Sequence, residues 1–577
     1  MISMPPIDVR IGQSAHDLLG DAAFLAGWKS LHRQCPHATG YQSPGFVGAW
    51  YESYKSIYRP VIAISRSANG DLLALWLLAF DPATKELVHA GSHQAEYHLW
   101  LALPEAATAF LTSALLELRR HIQFTVLRFK YLPSAALVDT LQAMPGMKNR
   151  IAVKIHRRPL LNIDPVRIKE SLAKKKTKSR FNRLKKLGVV EFRRVTELGE
   201  FDRIIEDFVA FYDFRQSAVN HTMPFREDPL KRPFHRALLA AAPSDIHLTV
   251  TYLDGRLIAA LWATISGKTL HIGIPVHSPL LAEHSPGKLH IMQLSEFMTS
   301  DAMDVLDLTP GKDPWKEGFA NAHDEVAEAL IYRSAVARGL ADAKDWLRAV
   351  IKRCVAAAGV EPQAVRKTVV AVQRARASVL VRRARQWIGA LHELRIYRGN
   401  REFSGRFTCD ERVATNAIAD LLLIEARSSW DRDAFLAEAL ERLKRGESVY
   451  TICVDGRLAH YGWMVRNQTE PFFSEVQQSI TLPPGSVSLY DFYTHPAFRG
   501  RGLYRATMSH MLQAAFVDEA TQYAYVSVLA DNPASRHVIE GLGFRYQRSL
   551  HWQRRFGREK SWADAVVATT ESSDASK

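Results

Sequence analysis

The segment Tyr490–Leu512 reads YDFYTHPAFRGRGLYRATMSHML and predicts a strand, a basic glycine loop and a helix in direct succession. Gly500 and Gly502 carry no Cβ that would keep an anion away from the backbone. The helix that begins near Leu503 offers unpaired N–H groups and the positive end of its dipole. We therefore expect the loop to bind a phosphate-bearing ligand, although an ordinary tight turn would have the same glycines.

The sequence after this helix favours the phosphate-binding loop over the ordinary tight turn. A strand pattern runs from Tyr523 to Leu529, Asn532 and Ser535 follow it, and Gly543 and Phe544 close the segment. In order and spacing, these residues resemble the GNAT superfamily of acetyl-CoA-dependent N-acyltransferases. The resemblance implies that the loop binds the diphosphate of acetyl-CoA, the co-substrate, and that Asn532 lies near its pantetheine arm, with Ser535 beside it.

The family loop pattern is R-x-x-G-x-G/A. It would assign donor binding to Arg499, Gly500, Arg501, Gly502, Leu503 and Tyr504. Tyr504 departs from the pattern, because glycine or alanine is usual there. Ile539 is a second departure, since many members carry at that point a tyrosine that protonates the departing thiolate. A thiol with a pKa of about 8.5 is a tolerable leaving group without an acid, and another tyrosine could serve.

The strand before the loop supplies candidates for the base that the acceptor amine needs. Simple alternation puts Asp491, Tyr493 and His495 on one face, and Tyr490, Phe492 and Thr494 on the other. We favour Asp491 as the base, with His495 second and Tyr493 as a further catalytic candidate. The alternative is that Asp491 forms a structural pair and that His495 merely precedes Pro496 at the strand end.

Length, cysteine content and apolar runs indicate the number of domains, the absence of metal and disulfide sites, and the cellular location that we expect. A chain of 577 residues with four well-separated cysteines indicates several domains without a zinc site or disulfide framework, and we expect no metal. The first twenty residues lack the pattern of a signal peptide, and the longest apolar run, 72–80, is too short to span a bilayer. These features favour a cytoplasmic protein.

The net charge of +15 is concentrated in two helical patterns. The first runs from Lys174 to Lys186 and the second from Arg366 to Arg385. Either could bind an acidic membrane surface or tRNA, and either could equally be a solvated helix face. No motif for specific DNA binding accompanies them.

A second resemblance covers about residues 35–335. It is to acyltransferases with two fused GNAT-like halves, of the FemAB-like type and of the type associated with bacterial cellulose biosynthesis. The residues that carry it are Tyr41–Pro44 with Trp50, Gly91, Ser92, Glu96, Tyr97, Phe234–Arg236, Ser285–Gly287, Asp307–Gly311, Trp315 and Lys316. The resemblance implies a cleft between the halves, with Ser285, Gly287 and Lys288 near donor phosphates and with Lys312 and Lys316 at its flanks.

The predicted fold class is mixed α and β (α+β), with three GNAT-like units. The boundaries are 1–165 for a recognition half, 166–335 for the second half, 336–392 for a basic helical connector, 393–562 for the carboxy-terminal acetyltransferase domain and 563–577 for a disordered tail. We expect an acyl-CoA-dependent N-acyltransferase that acts on an amine of a small-molecule, envelope or polysaccharide precursor. The alternatives are an aminoacyl-tRNA-dependent transferase and a non-catalytic CoA-binding regulatory or scaffold protein.

Overall fold

A computed structural model describes residues 5–144, 146–311, 313–357, 389–401, 407, 409–425, 431–555 and 558–566. The chain divides into two compact units. The first comprises residues 1–212, 223–278 and 284–358, and the second comprises 213–222, 279–283 and 359–577. Lys312, most of the predicted basic connector and the end of the predicted tail lie outside the described residues.

The first unit contains a long series of strands. They are β1 (Ile7–Ile11), β2 (Arg59–Arg66), β3 (Leu72–Asp81), β4 (Glu86–His89), β5 (Leu101–Ala102), β6 (Val126–Leu132), β7 (Ile151–Asn162), β8 (Val190–Val195), β9 (Ile246–Leu253), β10 (Arg256–Ser266), β11 (Thr269–His277), β12 (Val305–Asp307) and β13 (Ala322–Tyr332). They form one mixed sheet in the order β1-β2-β3-β4-β6-β13-β7-β12-β11-β10-β9-β8, with β5 paired to β3.

The helices up to residue 357 lie between these strands. They are α1 (Gln13–Leu19), α2 (Ala22–Gln34), α3 (Pro44–Tyr54), α4 (Ala107–His121), α5 (Ala135–Gln142), α6 (Pro165–Ala173), α7 (Lys175–Lys185), α8 (Leu198–Asn220), α9 (Pro224–Glu227), α10 (Lys231–Ala241), α11 (Pro286–Ser300), α12 (Pro314–Glu317) and α13 (Ala335–Ala357). The predicted basic helix is confirmed as α7.

The second unit has a smaller mixed sheet. Its strands are β14 (Gly389–Asn400), β15 (Ala414–Thr415), β16 (Ser448–Val454), β17 (Arg457–Arg466), β20 (Ser486–Thr494), β21 (Tyr523–Leu529), β22 (Arg545–Arg555) and β23 (Arg558–Ala563), and β18 (Phe472–Phe473) with β19 (Gln478–Ser479) forms a separate hairpin. The order is β15-β16-β17-β20-β21-β14-β22-β23. The helices are α14 (Ile418–Leu421), α15 (Arg432–Lys444), α16 (Leu503–Phe516) and α17 (Pro533–Gly541).

Local signals explain where several of these elements begin. Asp431 accepts a hydrogen bond from the Asp433 N–H and so starts α15, and Asn532 accepts one from the Ser535 N–H and so starts α17. Asp455 and Gly456 form the turn of the β16–β17 hairpin, where both have positive φ. The mixed α and β fold class predicted from the sequence is confirmed.

The same connection, a strand followed by a helix and a parallel neighbouring strand, occurs at three places. It joins β4 to β6 through α4, β11 to β12 through α11, and β20 to β21 through α16. In the second unit α16 packs on the sheet through Leu503, Met508, Met511 and Leu512, which belong to a core with Val487, Leu489 and Val526. This packing fixes the start of α16 beside the ends of β20 and β21.

In the described part of the chain, no helix combines the length and apolarity that a bilayer span requires. No group of three or more histidine, cysteine or acidic side chains in those residues has the arrangement of a metal site. Cys35, Cys409 and Cys453 are free thiols.

Candidate functional site

The glycine loop of the second unit is open to solvent on its outer side. Gly500 and Gly502 have φ of 76° and 73°, and a Cβ built on either would meet no atom of the described residues within 4 Å. Gly502 is the residue that precedes α16. Within the described residues, the backbone N–H groups from Gly500 to Arg505 have no hydrogen-bond acceptor. Such a row of unpaired donors at a helix start is an anion-binding arrangement.

Two free cations flank this loop. Arg499 and Arg501 are exposed, and among the described residues neither has an ion-pair partner. The Arg501 guanidinium lies 5.2 Å from the centre of the Phe498 ring, which orients it beside the loop. Leu503, directly below, is buried in the core. The loop therefore has a fixed inner side and a positively charged outer side.

A cavity of about 790 Å³ lies where β20 and β21 separate. The two strands pair in parallel from Ser486 with Tyr523 to Leu489 with Val526, and β20 then continues without this partner. The residues that line the cavity include Ser488 to Phe492 on β20, Val526 to Leu529 on β21, and Tyr504, Asn532 and Ser535. The separation of parallel strands thus creates a channel that reaches the region of the glycine loop.

Tyr504 and Ser535 form one wall of the channel. The Ser535 hydroxyl donates to the Tyr504 hydroxyl oxygen at 3.1 Å, and the Tyr504 ring packs 4.8 Å from that of Phe492. Burial raises the pKa of Tyr504 to about 12. In this arrangement the Tyr504 hydroxyl keeps its own proton to donate to a ligand. Ile539, in contrast, is fully buried in the core.

β20 contains a bulge at the predicted catalytic residues. The register with β17 shifts between Tyr461, which opposes Tyr493, and Trp463, which opposes Tyr490. Asp491 therefore has a left-handed backbone, with φ of 49°. A bulge places two residues opposite one and leaves the extra residue without a ladder partner. The backbone of β20 is thus interrupted beside the cavity.

The bulge overturns the predicted alternation. Arg442 of α15 contacts both Asp491, at 2.5 Å between guanidinium and carboxylate, and the Tyr490 ring, 5.0 Å away. Tyr490 and Asp491 therefore lie on the same side of the strand, and the prediction that separated them is wrong. The prediction assumed that successive side chains alternate between the two faces of the strand, and the extra residue of the bulge interrupts that alternation.

The predicted catalytic residues are not all brought together. Asp491 lines the cavity, whereas Tyr493 stacks on Tyr461 at 5.4 Å. His495 lies beyond the end of β20, where its Nδ1 accepts from the Ala497 N–H and its Nε2 lies 3.3 Å from Glu425. Of the three, only Asp491 stands in the position of a group that a cavity ligand could reach.

Partial burial raises the pKa of Asp491, and the Arg442 guanidinium opposes that shift. Glu438 and Glu475 add further negative charge, which also raises the pKa. A carboxylate with a raised pKa is better suited to accept a proton near neutral pH than an ordinary aspartate.

Sequence reasoning missed a second carboxylate. Glu447 is buried at the start of β16, where it accepts hydrogen bonds from Arg445 Nε at 2.8 Å and from the Tyr490 hydroxyl. Burial, followed by the hydrogen bond to Glu447, raises the pKa of Tyr490 above its ordinary value. The signal available was a glutamate directly after the helix-ending Gly446. His460, Tyr461 and Trp463 on the neighbouring strand β17 are buried.

The predicted donor residues of the first unit have a different environment. Ser285 has a left-handed backbone before α11, and a Cβ on Gly287 would lie 3.1 Å from Nδ1 of His277. The glycine here allows close packing against a side chain, whereas Gly500 and Gly502 face open space. Burial lowers the pKa of Lys288, and the nearby charges of Arg180 and Lys176 lower it further. Lys316 is buried, with its Nζ 3.1 Å from the Thr309 hydroxyl.

A buried polar cluster joins the two predicted halves of the first unit. Asp307 is fully buried and accepts from the Tyr97 hydroxyl at 2.5 Å and from the Thr309 N–H at 2.8 Å. His271 Nδ1 lies 2.8 Å and Arg158 3.4 Å from the same carboxylate. Burial would raise the pKa of Asp307, but the hydrogen bond and charge of His271, with Arg158 and Tyr97, hold it below its usual value.

Comparisons with known families find a match in two separate stretches of the chain. Residues 171–317 are similar to the model of an acetyltransferase (GNAT) domain, and residues 415–544 are similar to that of the acetyltransferase (GNAT) family. No curated protein is detectably similar to the chain.

Several solved structures are distantly similar in fold. The C-terminal domain of a putative lysylphosphatidylglycerol synthetase from Agrobacterium fabrum is 9% identical, with a TM-score of 0.37 over 56% of this chain and 95% of that one. FemX is 9% identical, with a TM-score of 0.36 over 52% and 95%. A putative GNAT acetyltransferase from Novosphingobium aromaticivorans is 18% identical, with a TM-score of 0.20 over 28% and 63%.

Proposed function

We propose that this chain, which carries two GNAT acetyltransferase domains, is an acetyl-CoA-dependent N-acyltransferase whose donor site lies in the second unit. The observation that carries the proposal is the open glycine loop, Gly500 to Gly502, two residues before Tyr504, which lines the cavity between β20 and β21. A ligand with a diphosphate at one end and a thin flexible arm fits a cradle of unpaired N–H groups beside a narrow channel.

The diphosphate, the flexible arm and the thioester of acetyl-CoA would each contact a different part of this site. The backbone donors of residues 500–505, with Arg499 and Arg501, would hold the diphosphate. The arm would run past Asn532 and Ser535 toward the bulge of β20. The bulge interrupts the ladder there, so backbone donors of that segment would be available to polarise the thioester carbonyl.

Transfer then needs a base for the proton that the nitrogen loses and a hydrogen-bond donor for the thiolate that leaves. The neutral amine attacks the carbonyl carbon, the new C–N bond forms and the C–S bond breaks. Asp491 would accept the proton that the nitrogen loses, a role supported by its raised pKa and its place in the cavity wall. The Tyr504 hydroxyl, which accepts from Ser535, would donate a hydrogen bond to the departing sulfur.

The first unit carries one observation that favours a second candidate function. Eight cations from Lys174 to Lys186 lie on and beside α7, and none has an ion-pair partner in the described residues. Such a surface attracts polyanions. It supports an aminoacyl-tRNA-dependent activity of this unit, and loss of binding to charged tRNA on replacing Lys178 and Arg183 by glutamine would test it.

The main proposal is tested by acetyl-CoA binding and turnover with the full-length protein. We expect acetyl-CoA at a hundred times its Kd to stabilise the protein by about 2.7 kcal/mol in thermal unfolding. Labelled acetyl-CoA added to a small-molecule extract should yield an acetylated amine that mass spectrometry identifies. Absence of both binding and stabilisation would refute the proposal. Binding without transfer to any amine would instead favour the non-catalytic CoA-binding alternative.

A further inference from the structure

The charges that line the cavity of the second unit do not balance. Two arginines are already engaged, because Arg442 pairs with Asp491 at 2.5 Å and Arg445 pairs with Glu447 at 2.8 Å. Two further carboxylates, Glu470 and Glu475, also line the cavity. In the described chain neither has a cationic partner, and Glu475 accepts only from the Ser474 hydroxyl at 3.2 Å. A ligand with positive charge would compensate them.

Both unpaired carboxylates lie on one rim of the cavity. Glu470 precedes the β18–β19 hairpin and Glu475 lies in its turn, while Phe472 between them is 60% exposed and also lines the cavity. The hairpin is held in place by Gln478, whose side-chain amide donates to the His551 carbonyl at 2.9 Å. A carboxylate beside an exposed aromatic face is an arrangement that binds ammonium groups.

An independent observation also indicates a ligand in this cavity. Ser488 on β20 is only 8% exposed and lines the cavity, yet its hydroxyl has no hydrogen-bond partner in the described residues. Buried hydroxyls are normally hydrogen-bonded, so a polar ligand group would complete this one. Ser488 lies on the same strand as Asp491, and both line this cavity.

From this geometry we propose that the acceptor is a di- or polyamine: one amino group reacts beside Asp491, and a second, which stays protonated, binds Glu470, Glu475 and Phe472. This rests on the function proposed above. The reacting nitrogen must be neutral when it attacks, so it cannot balance the rim carboxylates. The second ammonium takes no part in bond making, and its charge persists through the reaction.

The test uses the full-length protein, acetyl-CoA and two amines of equal chain length, 1,4-diaminobutane and butylamine. We expect the KM of butylamine to exceed that of the diamine by about tenfold or more, because only the diamine has a second ammonium. In the E470Q/E475Q variant the diamine KM should rise to the butylamine value, with the Kd of acetyl-CoA unchanged. E519Q, an exposed glutamate outside the cavity, serves as the control and should behave as wild type.

Equilibrium binding of 1,4-diaminobutane in the presence of CoA gives a readout that does not depend on turnover. It should weaken in E470Q/E475Q and not in E519Q, with folding of each variant checked by its melting temperature. Equal KM values for the two amines, or a diamine affinity that the double variant leaves unchanged, would overturn this inference while acetyl transfer remained. Failure of acetyl-CoA to bind at all would instead refute the proposed function itself.

Discussion

The Arg442 guanidinium on α15 donates to the Asp491 carboxylate in the bulge of β20 at 2.5 Å, although the two residues are 49 positions apart in the chain. Arg442 is held there by the rings of Trp463, 5.1 Å away, and Tyr490, 5.0 Å away. This pair holds the carboxylate of a backbone-strained residue at the wall of the cavity. It also sets the proton affinity of the group proposed as the base.

Replacing Arg442 by glutamine should shift the pH dependence of the reaction. The charge of Arg442 lowers the pKa of Asp491 against burial and against Glu438 and Glu475. Its removal should therefore raise that pKa. Because the ionised form acts as base, the acid limb of the kcat/KM profile should move to higher pH by the same amount. R412Q, which removes an exposed arginine paired with Asp410, should leave the profile in place.

Gly502 and Gly456 form a matched pair for testing the donor site. Both have φ near 70° and open space at the Cβ position, but Gly456 lies in the β16–β17 turn. Leucine at either position should cost a similar free energy of unfolding, about 1–3 kcal/mol, because both require a left-handed backbone. Only G502L should weaken acetyl-CoA binding measured by calorimetry. Equal acetyl-CoA affinity in the two variants would show that the loop is not part of the donor site.

Tyr504 should contribute to the chemical step through its hydroxyl alone. Y504F keeps the ring between Phe492 and His460 and removes the donor to the departing sulfur. Loss of a hydrogen bond to a charged group, about 1.5–3 kcal/mol, should lower kcat by about ten- to a hundredfold. The Kd of acetyl-CoA should stay near its wild-type value. Y546F removes a similar tyrosine–serine pair, 2.9 Å from Ser549 and outside the cavity, and should keep kcat.

Asp307→Asn should destabilise the first unit strongly. It breaks a buried pair with His271 and Arg158, which typically costs about 3–5 kcal/mol. D324N removes a carboxylate that also pairs with Arg158 but is 43% exposed, so its effect on urea unfolding should be much smaller.

The same group predicts a pH dependence of stability. The pKa of Asp307 is lowered in the folded chain, so its contribution is fully present above the unfolded value of about 3.9. It is lost as the pH falls through the folded pKa. Wild type and D307N should therefore converge in stability only at strongly acidic pH, and a difference that instead vanished near neutral pH would contradict this assignment.

Sequence reasoning could not distinguish positions that differ only through a distant neighbour. The same rule, a glycine at a helix start, selected Gly287 and Gly502, yet His277 packs against the first, whereas no described atom lies within 4 Å of a Cβ built on the second. Likewise, period-two alternation could not foresee the bulge at Asp491, because a bulge is defined by the register with β17. Neither the packing around these glycines nor the bulge can be predicted from the residues adjacent to them in the sequence.

The amino-acid sequence by itself determined the mixed α and β class, the β16–β17 hairpin at Asp455 and Gly456, the basic helix α7 and the glycine loop before α16. All depend on backbone dihedral preferences and burial periodicity over a few neighbouring residues. Only the tertiary structure decided that Arg442 meets Asp491 and that Glu447 meets Tyr490. It also decided that no cation of the described residues pairs with Glu470 or Glu475 at the rim. These relationships join segments far apart in the chain, and packing of α15 and the β18–β19 hairpin around the separated strands sets them.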